Sequence, residues 1–166
     1  MSDQPTAGAN GTGSEGSEAP LNLPITINAQ YIKDLSFENP NAPRSLQAGQ
    51  PTPRVSVSVD VDATGLAENL FEVVLSLTAK AAHDDTTVFI AELSYGAVVT
   101  LTEIPKEHVA PVLFIEVARL LFPFARQIIS GVTSQGGFPP LLINPVDFAD
   151  LFRRKADQAQ ETQGEA

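Results

Sequence analysis

Valine occupies positions 55, 57, 59 and 61, and serine or aspartate occupies the positions between them. A period of two places all four valines on one face of an extended chain, which is typical of a strand with one buried and one solvated face. The same period places apolar residues at odd positions over 25–37, 71–81 and 89–101, and a polar turn at 83–86 separates the last two. Four antiparallel strands with a shared apolar face are therefore predicted. Ile32 and Lys33 interrupt the first strand's alternation, which a local bulge or twist would explain.

The pattern changes after Pro105, where polar residues recur over 109–132 at steps of three, four or seven. This spacing predicts a helix. Pro123 lies inside it and lacks a backbone donor, so we expect a kink there or two consecutive helices. The polar stripe is narrow, and one sheet covers only one side of an apolar helix. A second copy of the chain is expected to cover the other side.

A turn at 135–140 ends this helix, and Asn144 and Pro145 suit the start of a short final helix. The segment 39–53 contains four prolines and no period, which predicts an extended crossing segment. Strands grouped before helices predict an α+β fold. We expect a four-stranded antiparallel sheet with one long, kinked or broken helix and a short C-terminal helix.

Composition predicts one folded domain at 21–152 in this chain of 166 residues. Residues 1–20 contain little that could be buried and are expected to form a disordered leader. Residues 153–166 are expected to form a flexible tail, which could extend the final helix by a turn or two.

Net charge and apolar patterning limit the partners and the compartment. The formal net charge of −10 disfavours nucleic acid and anionic membrane surfaces, and it favours basic polypeptides. The chain contains no cysteine, secretory signal or long apolar run, so a soluble cytoplasmic protein without direct membrane insertion is expected.

Residues of the types that act in catalysis lack partner residues at the spacing that a catalytic or metal site needs. Asp60 and Asp62 share a strand face, but no histidine or third carboxylate follows at the spacing of metal ligands. His83 and His108 accompany no recognisable nucleophile motif. The Gly-Gly at 136–137 follows a helix and lacks the Lys-Ser/Thr ending of a phosphate loop. We therefore predict no enzyme activity, no metal and no cofactor.

Three stretches resemble the bacterial SecB family: YIKDLSFENPNAP at 31–43, FIAELSYGAVV at 89–99, and LLFPFARQIISGVTSQGGFPPLLINPVDFADLF at 120–152. The resemblance implies a homotetramer, a dimer of dimers, whose subunits each contain a four-stranded sheet and two helices. It also implies a chaperone that binds unfolded secretory precursors in the cytosol and delivers them to the export motor SecA.

The resemblance carries a SecA-binding site over to Asp34, Glu38, Ile90 and Glu92. It implies that this site receives the basic, zinc-carrying tail of SecA, with the zinc belonging to the partner. Strand parity supports the placement, because even-numbered residues of the first and fourth strands would project from one polar face. Solvation of an exposed strand would equally explain the three carboxylates, and a subunit contact would explain Ile90.

A groove for unfolded clients is expected where Pro-rich segments and the last helix keep apolar side chains open to solvent. Its candidate residues are Leu46, Phe138, Leu141, Leu142, Phe148 and Phe152. Ordinary core packing is the alternative for each of them. Two rival functions stay open: a general holdase or antitoxin-linked chaperone on the same fold, and an enzyme or small-ligand carrier built on the sheet.

Overall fold

The computed structural model describes the backbone of residues 24–164 and the side chains of residues 24–161. Strands β1 (Ile25–Glu38), β2 (Arg54–Ala67), β3 (Leu70–His83) and β4 (Thr86–Leu101) form one antiparallel sheet in the order β1-β4-β3-β2. This sheet confirms the four predicted strands. The predicted leader at 1–20 lies outside the described residues.

Strand β1 contains two register shifts against β4, one between Ile27 and Ala29 and one between Ile32 and Asp34. The second is the irregularity predicted near Ile32. The first has no counterpart in the prediction, and it changes which side chains face the helices. Between the two shifts, Ala29 and Tyr31 project away from the helices, so their predicted place on the buried face is wrong.

The long helix runs from Lys106 to Gln135 in three parts: α1 (Lys106–Pro111), a π-helical turn (Val112–Val117) and α2 (Ala118–Gln135). Helix α2 continues through Pro123, so the predicted division into two helices at that residue is wrong, whereas the kink expected there stays a prediction. The irregular turn instead follows Pro111 directly.

By length and composition the long helix is apolar enough to cross a bilayer, which the sequence did not lead us to expect. One side of it packs on strands β3 and β4 and forms the main core. Its buried residues are Leu113, Val117, Ala118, Leu121, Phe122, Ala125, Ile129 and Thr133. They meet the buried sheet residues Leu75, Leu77 and Leu93. Each fully buried leucine of this kind contributes about 1.5–3 kcal/mol relative to exposure.

Helix α3 (Phe148–Gly164) begins later and is longer than the short helix predicted from Asn144 and Pro145. The carboxylate of Asp147 accepts a hydrogen bond from the backbone N–H of Asp150 at 3.0 Å, so Asp147 caps the helix. Asp150 in turn forms ion pairs with Arg153 and Arg154 one turn later. The segment from Arg153, predicted as a tail, is therefore helical as far as Gly164.

Candidate functional site

The helices cover one face of the sheet and leave the other open. On this open face, Asp34 pairs with Ser94, Ser36 with Glu92, and Glu38 with Ile90 across strands β1 and β4. Residues paired across strands project from the same face, so the structure brings Asp34, Glu38, Ile90 and Glu92 together as the parity of the sequence predicts.

This acidic patch, made of Asp34, Glu38 and Glu92 beside Ile90, carries three exposed carboxylates. The Ser36 hydroxyl donates a 3.4 Å hydrogen bond to Glu92 Oε2. Ile90 is half-buried, and its neighbour on β3 is the exposed Lys80. The patch can therefore attract a cation through its carboxylates and contact an apolar group through Ile90.

Small hydroxyl residues make the middle of the open face. One row crosses all four strands through Asp34, Ser94, Ser76 and Asp60. The strand spacing makes this row about 14 Å long, with a carboxylate at each end. The alternation of β2 places Asp60 on the polar face, where solvation, a metal pair or an acid/base pair would each explain it. The strand order is needed to put it in line with Asp34.

A second cluster lies further along the open face. Tyr31 donates a hydrogen bond to Glu72, and Lys33 Nζ lies 2.9 Å from both carboxylate oxygens of Glu72. The bond to Glu72, with a smaller effect of burial, raises the pKa of Tyr31 to about 12. The bonds from Tyr31 and Lys33 lower the pKa of Glu72. The negative charge of Glu72 is thus balanced by the ammonium group of Lys33. The sequence did not reveal this cluster because the bulge at Asn28 turns Tyr31 to the open face.

The groove candidates lie in separate places. Phe138 packs on Phe37 and Phe89, with ring centroids 6.3 and 4.9 Å away, and Leu46 lies over the neighbouring Gly137. Leu46 is 45% exposed.

The other candidates lie along the helices and the loop between them. Leu141 is half-buried against the core, whereas Leu142 is 63% exposed beside α2. Phe148 is only 1% exposed, so it belongs to the core and lines no surface here. Phe152 is half-buried against Phe114, with 5.6 Å between the ring centroids.

Two valines of β2 outside the predicted groove are open to solvent. Val55 is 43% exposed and Val57 is 40% exposed, although their alternation predicted a buried face. The reason is that β2 lies at the sheet edge, where the helices cover Val61 but end before Val57. The alternation correctly predicts which face of β2 points towards the helices, but it cannot show how far along the strand the helices extend.

A polar cavity of about 360 Å³ lies between the crossing segment and the turn from β3 to β4. It is lined by Asn41, Arg44, Ser45, Gln47, Gln50, His83, Thr86, Thr87 and Val88. Among the residues that the structure describes, no three histidine or carboxylate side chains come together as a metal site. Asp60 and Asp62 instead bind the ammonium group of Lys155.

Comparison with known proteins identifies relatives over almost the whole chain. The family model described as preprotein translocase subunit SecB matches residues 18–159. The protein-export protein SecB of Mesorhizobium japonicum is 48% identical over 158 residues, covering 95% of this chain and 92% of the relative. The protein-export protein SecB of Rhodospirillum centenum is 51% identical over 149 residues, covering 89% of each chain.

A solved structure shares the fold at low identity. It is the SecB-like chaperone of Mycobacterium tuberculosis in complex with a peptide from an antitoxin, 15% identical, with a TM-score of 0.61. The match covers 74% of this chain and 91% of that chain. At this identity the likeness shows a common fold.

Proposed function

The chain belongs to the SecB family, and on that premise we propose that it holds newly made secretory precursors unfolded in the cytosol and delivers them to the SecA motor. The observation that carries this proposal is the family match over residues 18–159, with relatives near 50% identity that are protein-export proteins. As a family member, the protein is a chaperone of preprotein export.

We propose the acidic patch on the open face as the contact for SecA. Its carboxylates on Asp34, Glu38 and Glu92 would attract a basic segment, and the half-buried Ile90 would contact an apolar side chain beside it. Attraction between exposed charges is screened within about 8 Å at physiological salt. Association with SecA is therefore expected to weaken as salt rises.

Calorimetry of SecA binding to the full chain tests this contact. Asp34→Asn combined with Glu92→Gln removes two charges without changing side-chain shape. We expect at least about tenfold weaker binding at low salt, and a smaller difference at high salt. Asp85→Asn combined with Glu107→Gln makes the same charge change at exposed positions elsewhere. Equal affinity of the patch variant and this control would refute the site, whereas no binding by the unmodified protein would refute SecA as partner.

We propose a homotetramer in which copies of the chain cover an apolar surface on β1 and the long helix. This surface consists of Ile32, Leu35, Leu120 and Phe124, which are 49%, 38%, 47% and 50% exposed. Its parts are adjacent, because Tyr95 pairs with Ile32 in the sheet and stacks on Phe124 with 6.3 Å between ring centroids. Exposed leucine and phenylalanine at this density favour a protein contact over solvent.

We propose that clients bind by many weak apolar contacts, for which Leu46, Val55 and Val57 offer exposed side chains. Several copies of such a surface would gain affinity through multivalency. Capture of cytosolic clients separates this function from that of a general holdase or an antitoxin-linked chaperone. Enrichment of signal-bearing precursors together with SecA supports export, and their absence contradicts it.

A further inference from the structure

The polar cavity beside the crossing segment has the size of a small-ligand site. One wall is a short 3₁₀ turn (Arg44–Leu46), and the opposite wall is the end of β3 and the start of β4. Its volume of about 360 Å³ falls within the roughly 300–1,000 Å³ that is typical of small-molecule sites. The cavity can therefore take a group as large as an amino-acid side chain together with part of its backbone.

Hydrogen bonds hold the crossing segment in place at this wall. The side-chain amide of Asn41 donates to the Thr87 carbonyl oxygen at 2.9 Å, which ties the segment to β4. Within the segment, the Ser45 hydroxyl donates to Asn39 Oδ1 at 2.7 Å, and the Ser45 N–H donates to the Asn41 carbonyl oxygen at 3.0 Å. The 3₁₀ turn is thus fixed before a ligand arrives, and a site that is formed in advance loses less entropy on binding.

The charge of the cavity is opposite to that of the chain. Among the described residues that line it, none is a carboxylate, and Arg44 carries the one permanent charge. His83 is the other basic residue of the lining, and Asp84 and Asp85 follow it in the turn without lining the cavity. In a chain with a formal net charge of −10, a cavity whose lining contains basic but no acidic residues favours an anion.

The guanidinium group of Arg44 is available to a ligand. Within residues 24–161 it forms no hydrogen bond and no ion pair, whereas Arg119 pairs with Glu116 and Arg154 pairs with Asp150. A guanidinium group presents its N–H groups as a planar fork that matches a carboxylate. One positive charge balances one carboxylate, whereas a phosphate dianion would keep an uncompensated negative charge beside Arg44. A carboxylate is therefore the better match.

The lining also offers neutral hydrogen-bond donors and an apolar contact. The side-chain amides of Gln47 and Gln50 and the hydroxyl group of Thr86 form no hydrogen bond within the described part of the chain. These groups can donate to carboxylate oxygens or to the carbonyl oxygen of a peptide. Val88 lines the cavity as well and is buried. A carboxylate on a short aliphatic stem suits both the donors and this valine.

We propose that this cavity binds a carboxylate on a short aliphatic stem, such as the side chain of glutamate, and that Arg44 is its ion-pair partner. Two sources share this chemistry, a free small carboxylate and an acidic side chain of a polypeptide. The site goes beyond the proposed function, because the acidic patch attracts cations whereas this cavity selects an anion.

Ligand-observed saturation-transfer NMR of the full chain tests this site, since it detects weak binding to large proteins. The probe is N-acetylglutamate α-amide, whose only charge is the side-chain carboxylate, and N-acetylglutamine α-amide is its neutral counterpart. We expect the wild type to bind the glutamate probe about five- to tenfold more tightly than the glutamine probe. Equal binding of the two probes, or no binding of the glutamate probe, overturns the proposal.

Two substitutions test the role of the arginine. Arg44→Met keeps an unbranched stem and removes the charge, so the preference for the glutamate probe should disappear. Arg54→Met makes the same change at an exposed arginine that begins β2 outside the cavity lining, and it should keep the wild-type preference. A preserved preference in Arg44→Met, or its loss in both variants, contradicts Arg44 as the partner.

Gln50→Glu tests the location of the site. It adds a carboxylate to the lining, which should compete with the glutamate probe for Arg44 and weaken binding at least about fivefold. Gln160→Glu is the matched control, because it adds the same charge at an exposed position of α3. A wild-type affinity in Gln50→Glu, or an equal weakening in Gln160→Glu, shows that the probe binds elsewhere and overturns the proposal.

Three further ligands identify the source and the class. Tighter binding of acetyl-Gly-Glu-Gly-amide than of butyrate indicates an acidic side chain of a polypeptide, and the reverse order indicates a free small carboxylate. Either order upholds the carboxylate site. Inorganic phosphate that displaces the glutamate probe at equal concentration overturns the assignment to a carboxylate. None of these measurements uses SecA or a precursor, so this site and the proposed function can fail separately.

Discussion

The ring of Tyr31 lies over Gly96 so closely that a Cβ atom on Gly96 would come within 2.6 Å of Tyr31 Cε2. Tyr31 lies on β1 and crosses β4 at this glycine to reach Glu72 on β3. Only a residue without a side chain allows this path. The two register shifts of β1 make the path possible, because they turn Tyr31 to the open face.

We predict that Gly96→Ala lowers the free energy of unfolding by about 1–3 kcal/mol, since the added methyl displaces the Tyr31 ring from its hydrogen bond. Gly131→Ala is the control, because a Cβ there meets nothing within 4 Å and lies in helix α2. That change should be neutral or stabilising by up to about 1 kcal/mol. Denaturant titration of both variants measures the difference, and equal midpoints would contradict the close contact.

The Tyr31 hydroxyl should ionise at about pH 12, above the ordinary value of 10.0, because Glu72 holds its proton. Tyr95→Phe leaves Tyr31 as the only tyrosine, so the ultraviolet absorbance of tyrosinate reports it alone. Glu72→Gln should move the midpoint down towards 10. The folded-state pKa is the higher one, so the bond's contribution to stability is complete below about pH 10 and is lost as pH rises towards 12. An unchanged titration midpoint of Tyr31 in Glu72→Gln would contradict the hydrogen bond between the two residues.

Strand parity predicts the open face well where the pairing is regular. The valines of β2 and the even-numbered residues of β4 fix their faces through a period of two. Asp34 and Glu38 join Glu92 on the open face because the second register shift of β1 restores the phase that the first one changed. Parity fails at Tyr31 because one extra residue at Asn28 shifts the phase, and no break in the alternation marks that position.

Burial within a correctly predicted face depends on where the helices end. Val55 and Phe148 both belong to apolar patterns, yet one is 43% exposed and the other 1% exposed. The π-helical turn of the long helix packs on β2 near Val61 and leaves the first half of the strand open. Tertiary packing determines where the covered part of β2 ends, and it also determines that Lys155 lies at the sheet edge.

Phe124→Glu should dissociate the proposed tetramer into smaller species, because it places a charge in the apolar surface shared by the long helix and β1. Light scattering during size exclusion at micromolar concentration measures the mass. Leu66→Glu is the control, since Leu66 is 52% exposed near the turn between β2 and β3. The assembly assignment fails if Phe124→Glu keeps the wild-type mass, or if the wild type is itself a monomer.

Thr133 should prove essential for holding the Pro-rich loop against α2, although no sequence pattern predicts this role. It is fully buried, and its hydroxyl donates to the Ile129 carbonyl at 2.9 Å and accepts from the Leu141 N–H at 3.0 Å. Thr133→Val keeps the shape and removes the acceptor, which should cost about 1–3 kcal/mol of unfolding free energy. Thr133→Ser retains the hydroxyl. Hydrogen exchange at Leu141 distinguishes the two, because serine should preserve the protection of this amide and valine should lose it. Equal protection in both variants would show that packing alone holds the loop.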